Sequence, residues 1–204
     1  MALWELYAHV HGKARWGDKT PSHLRCVLSI AALFPDARFV HIVRDGRDVA
    51  CSMRSTWFGR ERTVADFAAD WNDRLSRFRT DAAQLPERYI VVRYEDLVHD
   101  PSGVLGLVCD FIGLPLDPVM LDYYQTAEQR MRELDDLSTG RLYASRADRT
   151  GMHALTSLPL VTDRIGRWRK ELGEADLRTF EDAAGQMLSA HGYGRFAEPA
   201  QRHP

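Results

Sequence analysis

The stretch from Phe34 to Ser55 most constrains the fold, because a short apolar run there turns directly into the start of a helix. Residues 39–43 (FVHIV) are nearly all apolar and rich in β-branched side chains, which favours a buried parallel strand. The polar segment 44–48 (RDGRD) follows, and after it the pattern becomes helical. Asp45 is expected to cap that helix, and Asp48 is expected to complete a capping-box pair with it.

A strand that ends on an arginine and turns into a helix is suited to binding an anion. Free backbone amides and the positive end of the helix dipole converge there with the guanidinium of Arg44. In open α/β sheets, ligands bind at this carboxyl end of the strands. Ser52, two turns into the helix, adds a hydroxyl. The sequence therefore predicts an anion site at Arg44 and Ser52; the alternative is a surface arginine paired with Asp45 or Asp48.

The next part of the chain continues as a helix and a second strand. From Thr63 to Arg79, apolar residues recur at the helical period, which predicts a helix with one face in the core. Residues 89–92 (YIVV) form another short apolar run that ends on polar residues, which predicts a second buried strand. Two strands separated by a helix form a βαβ unit. The sequence therefore predicts an α/β fold with a parallel sheet flanked by helices.

Further helices are predicted from capping signals and apolar spacing. Asp100-Pro101 predicts the start of one helix and Asp117-Pro118 the start of the next. Residues 177–190 predict a last amphipathic helix. Between Asp135 and Asp163 the regular apolar spacing fades, which favours a functional loop in that segment.

Length and composition indicate one domain. A chain of 204 residues that is 45% hydrophobic can bury a single good core. We assign residues 1–196 to that domain and residues 197–204 to a frayed tail. The net charge of −2, with scattered basic residues, argues against a nucleic-acid partner.

Cysteine usage and hydropathy indicate a cytoplasmic protein without a membrane span. The three cysteines are an odd number without C-x-x-C spacing, which favours reduced thiols. The N-terminus lacks the pattern of a secretory signal, and no apolar run reaches the roughly 18 residues that a spanning helix needs. The eight histidines lack the spacing of metal ligands, so we predict no metal site.

A second group of candidate residues surrounds Thr20-Pro21, where a capping threonine and a proline at the first helical position predict a helix through Ala32. Lys19 lies just before this helix, and His23, one turn into it, is a candidate base. The alternatives are a surface lysine and a solvated histidine. Segment 12–20 looks like a Walker A loop, but it has an extra residue before the lysine and no predicted strand precedes it. We therefore reject a phosphate loop there.

Three segments resemble, in the same order, the sulfotransferases that use 3′-phosphoadenosine 5′-phosphosulfate. They are WGDKTP at residues 16–21, VRDGRDVACS at residues 43–52 and VVRYEDLVHDP at residues 91–101. A weaker fourth match is IGRWRKEL at residues 165–172. The resemblance implies the P-loop NTPase-like fold of that family. It also implies transfer of a sulfonate from this nucleotide to a hydroxyl or amine of a small-molecule, carbohydrate or peptide acceptor.

The resemblance also implies roles for particular residues. In that family, the arginine and serine at the positions of Arg44 and Ser52 bind the 3′-phosphate of the nucleotide. A lysine at the position of Lys19 reaches the transferring sulfonate, and a tyrosine at the position of Tyr94 lies near the adenine. The region before IGRW folds over the nucleotide and supplies further phosphate contacts. The candidate catalytic residues are therefore Lys19 and His23, and the candidate nucleotide-binding residues are Arg44, Ser52, Tyr94, Arg164 and Arg167.

The chain departs from the family pattern at its N-terminus. Those enzymes begin with a strand and a loop rich in Gly, Ser, Arg and Lys that holds the 5′-phosphosulfate, and no such segment occurs here. Residue 21, a histidine in some members, is proline. We therefore expect the fold without its first strand and an incomplete catalytic site, at which transfer is slow or absent. The alternatives are a non-catalytic relative that binds adenosine 3′,5′-bisphosphate as a partner or regulatory subunit, and a P-loop kinase-like fragment, against which the Arg44–Ser52 spacing argues.

Overall fold

A computed structural model of the chain describes residues 2–127 and 154–196. The chain divides into two compact units, Met1–Ala37 and Arg38–Pro204, and we describe each by itself. Part of the loop predicted between residues 135 and 163, and the whole of the predicted tail at 197–204, lie outside the described residues.

The first unit is helical in its described part. It contains helix α1 (Ala2–Val10), a 3₁₀ helix (Pro21–Arg25) and helix α2 (Val27–Leu33). The prediction of one continuous helix from Pro21 to Ala32 was wrong, because Cys26 has the non-helical backbone angles φ −141° and ψ 30°. Thr20 precedes the 3₁₀ helix, but its hydroxyl donates to Asp18 instead of accepting from a backbone amide.

The sheet lies in the second unit and contains two parallel strands within the described residues. Strand β1 (Phe39–Val43) pairs with strand β2 (Tyr89–Arg93), with Phe39 opposite Tyr89 and Val43 opposite Arg93. The chain between them forms helices α3 (Gly46–Arg54) and α4 (Val64–Ala82). This arrangement confirms the predicted βαβ unit.

The remaining elements follow β2 in the chain, and their bounds agree closely with the capping signals. Helix α5 (Tyr94–His99) begins directly after β2, and helix α6 (Pro101–Ile112) is capped by Asp100, whose side chain accepts from the Gly103 amide. A 3₁₀ helix at Pro118–Met120 follows. Beyond residue 127, the next described elements are 3₁₀ helices at Ala154–Ser157 and Thr162–Arg164. The last two elements are helices α7 (Trp168–Glu171) and α8 (Glu174–Ala190).

The core of this unit lies where α8 and α4 pack against each other and against α3. Its aromatic and aliphatic side chains have lost nearly all contact with solvent, as expected for the dominant favourable contribution to folding. They include Phe67, Trp71, Leu75, Trp168, Leu177, Phe180 and Leu188. The predicted α/β fold, a parallel sheet flanked by helices, is confirmed.

The two strands are less buried than their apolar sequences predict. Val40 and Ile42 of β1 are 39% and 52% exposed, and Val91 of β2 is 45% exposed, whereas Val43 and Val92 are buried. Near-continuous apolar strands are expected to be covered on both faces. Within the described residues, helices cover these strands only in part, so the prediction of buried strands holds for Val43 and Val92 but is wrong for the exposed valines and isoleucine.

Within residues 2–127 and 154–196, no helix is both long enough and apolar enough to cross a membrane.

Candidate active site

The site is built around the start of α3, where Asp45 is the capping residue. Its carboxylate accepts a hydrogen bond from the Arg47 backbone amide at 2.9 Å, which confirms the predicted cap. Gly46 follows, and a Cβ atom there would lie within 2.6–2.9 Å of the rings of Phe180 and Trp71. The glycine therefore lets the first turn of α3 approach the core closely enough for those rings to pack on its backbone.

Arg47 is a buried structural residue and not a free ligand for an anion. Its side chain is 1% exposed. The guanidinium donates two hydrogen bonds to Asp45, at 2.8 and 3.0 Å, and one to Glu181 at 2.9 Å. It also lies 3.8 Å above the ring of Trp168. These contacts use the guanidinium to fasten α3 to α8.

Asp48 does not complete a capping box, so that part of the prediction was wrong. The backbone amide of the capping residue Asp45 donates to Glu95 instead, at 3.0 Å. Asp48 is fully buried, and its two carboxylate oxygens accept from the backbone amides of Gly166 at 2.7 Å and Trp168 at 3.0 Å. Burial raises the pKa of Asp48, and these two hydrogen bonds oppose the rise. Asp48 therefore binds amides far along the chain instead of the nearby Asp45 amide that a capping box would use.

Arg44 lies directly after β1, at the carboxyl edge of the sheet. Its guanidinium carbon lies 4.6 Å from the centre of the Tyr94 ring, and its Nη2 atom donates to the Arg164 carbonyl at 2.5 Å. Only a 4.0 Å contact joins Arg44 to Asp48. The Nε atom is buried, and no hydrogen-bond partner is found for it among the described residues. The fold thus brings together Arg44, Tyr94 and the backbone of Arg164.

Ser52 lies on α3, two turns from the helix start, and is partly exposed. Its carbonyl accepts from the Ser55 hydroxyl at 2.7 Å. The Ser52 hydroxyl itself makes no hydrogen bond in the part of the chain that the structure describes. It is therefore available to a ligand on the outer face of α3.

Arg167 is already paired with a residue that the sequence did not single out. Its Nε and Nη2 atoms donate to the two oxygens of Glu171 at 2.7 and 2.8 Å. The hydrogen bonds from Arg167 hold the pKa of the Glu171 carboxyl below its usual range. The same hydrogen bonds to Glu171 are the main reason why the pKa of Arg167 is raised. The i, i+4 spacing of Arg167 and Glu171 is the one signal that could have indicated this pair.

Cys51, the residue before Ser52, is a buried thiol beside the same pair. Burial raises the pKa of Cys51 to about 11, so it stays protonated near neutral pH. A protonated, buried thiol is a poor nucleophile. Cys51 therefore belongs to the packing beneath the site.

Glu95 connects the start of α3 to Tyr193, which follows α8. One of its oxygens accepts from the Asp45 amide, and the other accepts from the Tyr193 hydroxyl at 2.9 Å. Glu95 is 7% exposed. Burial is the main reason why the pKa of Tyr193 is raised, and the nearby negative charge of Glu95 adds to the rise. Glu95 therefore orders the backbone at the edge of the site.

Lys19 and His23 belong to the first unit. Lys19 is exposed just before the 3₁₀ helix, and no ion pair involves it among the described residues. The imidazole Nε2 atom of His23 lies 3.5 Å from a carboxylate oxygen of Asp18. A carboxylate at this distance can orient a histidine, a feature that the sequence did not indicate.

In neither unit do the described residues include a cluster of three or more His, Cys, Asp or Glu side chains that could hold a metal ion.

Comparisons with known proteins connect this geometry to a family. A family model described as "Sulfotransferase family" matches residues 1–118, which include Lys19, Arg44, Ser52 and Tyr94. Protein-tyrosine sulfotransferase 1 of Danio rerio is 24% identical over 192 residues, covering 89% of this chain and 49% of that protein. Nodulation protein NoeE of Sinorhizobium fredii is 25% identical, over 98% of this chain and 49% of its own length. The chain thus spans about half the length of these relatives.

Two solved structures share the fold. The sulfotransferase domain from the curacin biosynthetic pathway superposes with a TM-score of 0.60 and 20% identity, covering 87% of this chain and 62% of that one. The sulfotransferase domain of the Synechococcus PCC 7002 olefin synthase gives a TM-score of 0.51 and 23% identity, with coverages of 89% and 64%. The family model matches more than half of the chain, and both solved neighbours are sulfotransferase domains. This chain therefore belongs to the sulfotransferase family.

Proposed function

We propose that the protein transfers a sulfonate group from 3′-phosphoadenosine 5′-phosphosulfate to a hydroxyl or amine acceptor. The observation that carries this proposal is Arg44 at the carboxyl end of β1, stacked on Tyr94 and with a buried Nε atom that lacks a partner among the described residues. Family membership supports the reaction class. The name of the Danio rerio relative supports a hydroxyl acceptor, since the group modified on tyrosine is a phenol.

The residues at the end of β1 fit the 3′-phosphate half of this nucleotide. Arg44 retains donor capacity beyond its bond to Arg164, and the Ser52 hydroxyl makes no bond among the described residues. Both groups can donate to phosphate oxygens, and a guanidinium suits phosphate geometry. Tyr94 offers a flat aromatic ring of the kind on which an adenine stacks. Arg167 can join them once it turns from Glu171.

In the reaction, the acceptor oxygen or nitrogen forms a bond to sulfur, the bond from sulfur to the bridging oxygen breaks, and adenosine 3′,5′-bisphosphate leaves. The acceptor proton must go to a base. We assign Lys19 to neutralising charge on the sulfonate and the leaving oxygen, the role that cationic groups have in phosphoryl transfer. His23, oriented by Asp18, is the candidate base. Arg44 and Ser52 position the nucleotide, which lowers the entropic part of the barrier.

The proposal is tested by calorimetry with adenosine 3′,5′-bisphosphate and with adenosine 5′-monophosphate, which lacks the 3′-phosphate. We expect the wild-type protein to prefer the bisphosphate. Arg44→Ala should weaken its binding by about 1.5–3 kcal/mol, and Ser52→Ala by about 0.5–1.5 kcal/mol, the usual values for hydrogen bonds with and without a charged donor.

Arg77→Ala is the matched control, because Arg77 is an exposed arginine on α4 that pairs only with Asp73 among the described residues. It should leave both affinities unchanged. Equal affinity of the wild-type protein for the two nucleotides contradicts the proposal. Preference for the bisphosphate without transfer of labelled sulfonate to any tested phenol, alcohol or amine favours the non-catalytic binding protein.

A further inference from the structure

The turn that carries Arg167 is fixed to the helix that carries Ser52 by one buried side chain. Asp48, in the first turn of α3, binds the backbone amides of Gly166 and Trp168, the two neighbours of Arg167. Arg44 holds the same turn from its other end through the Arg164 carbonyl. The backbone on both sides of Arg167 is therefore tied to α3 and to the end of β1.

The shape of this turn is strained for any residue except glycine at one position. Gly166 has φ +71°, in the left-handed region that side chains with a Cβ atom seldom adopt. A Cβ atom there would also lie 2.7 Å from a guanidinium nitrogen of Arg169. In this turn the Gly166 amide and, two residues later, the Trp168 amide both donate to the Asp48 carboxylate.

A fully buried carboxylate is costly unless its bonds repay the loss of hydration. For the same reason, burial raises the pKa of Asp48. An apolar side chain could fill the same space without that cost, but the buried amides of Gly166 and Trp168 would then lack their hydrogen-bond acceptor. Trp168 is anchored independently, since its ring is buried against Arg47. The additional effect of Asp48 is to fix where the turn begins.

We propose that Asp48 is a positioning residue that holds Arg164 and Arg167 beside Arg44 and Ser52, and so sets the preference for a nucleotide with a 3′-phosphate. This inference rests on the proposed function. Asp48 does not touch the nucleotide: its two oxygens face backbone amides, and its side chain is inaccessible. Asp48 affects nucleotide binding indirectly, because it fixes the position of the turn that carries Arg164 and Arg167.

The test is Asp48→Asn. The amide has the shape of the carboxylate, but its NH₂ group faces a backbone N–H and cannot accept from it. One of the two bonds is lost, and the turn is released at that point. Calorimetry with the two adenosine nucleotides should show the preference for the 3′-phosphorylated one reduced about tenfold, as expected when the displaced Arg167 loses one charged hydrogen bond to the 3′-phosphate. The affinity for adenosine 5′-monophosphate should change less than twofold.

Asp66→Asn is the matched control. Asp66 is also a carboxylate in the first turn of a helix, but it is exposed and accepts from the amide and hydroxyl of Thr63, with which it forms the capping box of α4. Its replacement should lower the melting temperature and leave the nucleotide preference unchanged. A merely structural role for Asp48 predicts the same outcome for both variants.

Gly166→Ala provides an independent test that leaves Asp48 in place. A Cβ atom at φ +71° displaces the turn, so the nucleotide preference should fall as it does in Asp48→Asn. A wild-type preference that survives in folded Asp48→Asn or Gly166→Ala overturns the positioning role and leaves the proposed function intact. A wild-type protein with no preference between the two nucleotides overturns both.

Discussion

His41 lies on β1 with its imidazole against the ring of Phe78, at 4.0 Å between ring centres. Its Nδ1 atom is buried and has no hydrogen-bond partner among the described residues. Burial, with a smaller contribution from the nearby His191, lowers the pKa of His41 to about 4. The imidazole is therefore neutral in the folded protein at pH values where it is protonated in the unfolded chain.

This difference predicts that the protein loses stability in mild acid. Between the unfolded pKa near 6.5 and the folded pKa of about 4, the unfolded chain binds a proton that the folded chain does not. The free energy of unfolding should therefore fall by about 2 kcal/mol between pH 7.5 and pH 4.5. Urea unfolding across this range measures it.

His41→Leu is the control for this pH dependence, because leucine packs against Phe78 and does not titrate. The part of the loss that His41 causes should disappear in the variant, while losses from carboxylates that pair in the fold remain in both proteins. Parallel stability curves for the two proteins would show that His41 is not the group responsible.

The residues of the RDGRD segment show which side-chain roles are readable from sequence. Asp45 caps α3 through a bond to a residue two positions away, so its role follows from local geometry. Arg47 and Asp48 are bound by Glu181, Gly166 and Trp168, which lie 118–134 residues away. No local pattern encodes such partners, and the predicted capping box failed for that reason.

Glu171 lies on helix α7, one turn after Arg167, and its carboxylate accepts two hydrogen bonds from the Arg167 guanidinium. This is the guanidinium that we propose binds the 3′-phosphate. Glu171→Gln removes that negative charge and leaves the side-chain length unchanged. We expect adenosine 3′,5′-bisphosphate to bind about two- to fivefold more tightly, since an exposed ion pair contributes less than about 1 kcal/mol. Calorimetry measures the change.

Glu174→Gln is the control, because Glu174 forms the same type of i, i+4 pair with Arg178, on α8. It should not alter nucleotide affinity. If Glu171→Gln binds the bisphosphate no better than this control does, Arg167 does not contact the nucleotide.

Among the elements, those with local signals were predicted well. The apolar runs of β1 and β2 and the Asp100–Gly113 signals of α6 fall close to the observed bounds, and α8 begins three residues before the predicted helix. The helix through residues 21–32 was wrong because proline and apolar spacing cannot indicate the turn at Cys26. Strand burial was also wrong in part, since exposure depends on neighbouring elements rather than on the strand's own composition.

At the scale of the molecule, Tyr193 connects the end of α8 to the sheet and the start of α3. Its hydroxyl donates to Glu95, 98 residues earlier, and its ring lies 4.6 Å from the Arg93 guanidinium carbon. Tyr193→Phe removes a donor from a buried carboxylate and keeps the ring. The free energy of unfolding should fall by about 1.5–3 kcal/mol, the value for a hydrogen bond to a charged group.

Urea unfolding of Tyr193→Phe checks this expectation, with Tyr124→Phe as the control. The Tyr124 hydroxyl donates to Asp122 at an exposed position, so its loss should change stability by less than about 0.5 kcal/mol. Equal effects of the two substitutions would mean that Glu95 does not depend on Tyr193.

The bonds from Asp48 to Gly166 and Trp168 also bear on how the protein is made. A ribosome adds about 5–20 residues per second, so the 118 residues between Asp48 and Gly166 take roughly 6–24 seconds to synthesise. During that interval the nascent chain already contains Arg44, Asp48 and Ser52, but the Asp48 carboxylate can remain hydrated and charged, because the amides that later bind it do not yet exist. Closure of this long loop is entropically unfavourable until α7 and α8 can pack on α3. The proposed anion site can therefore be completed only late, after translation has passed residue 168.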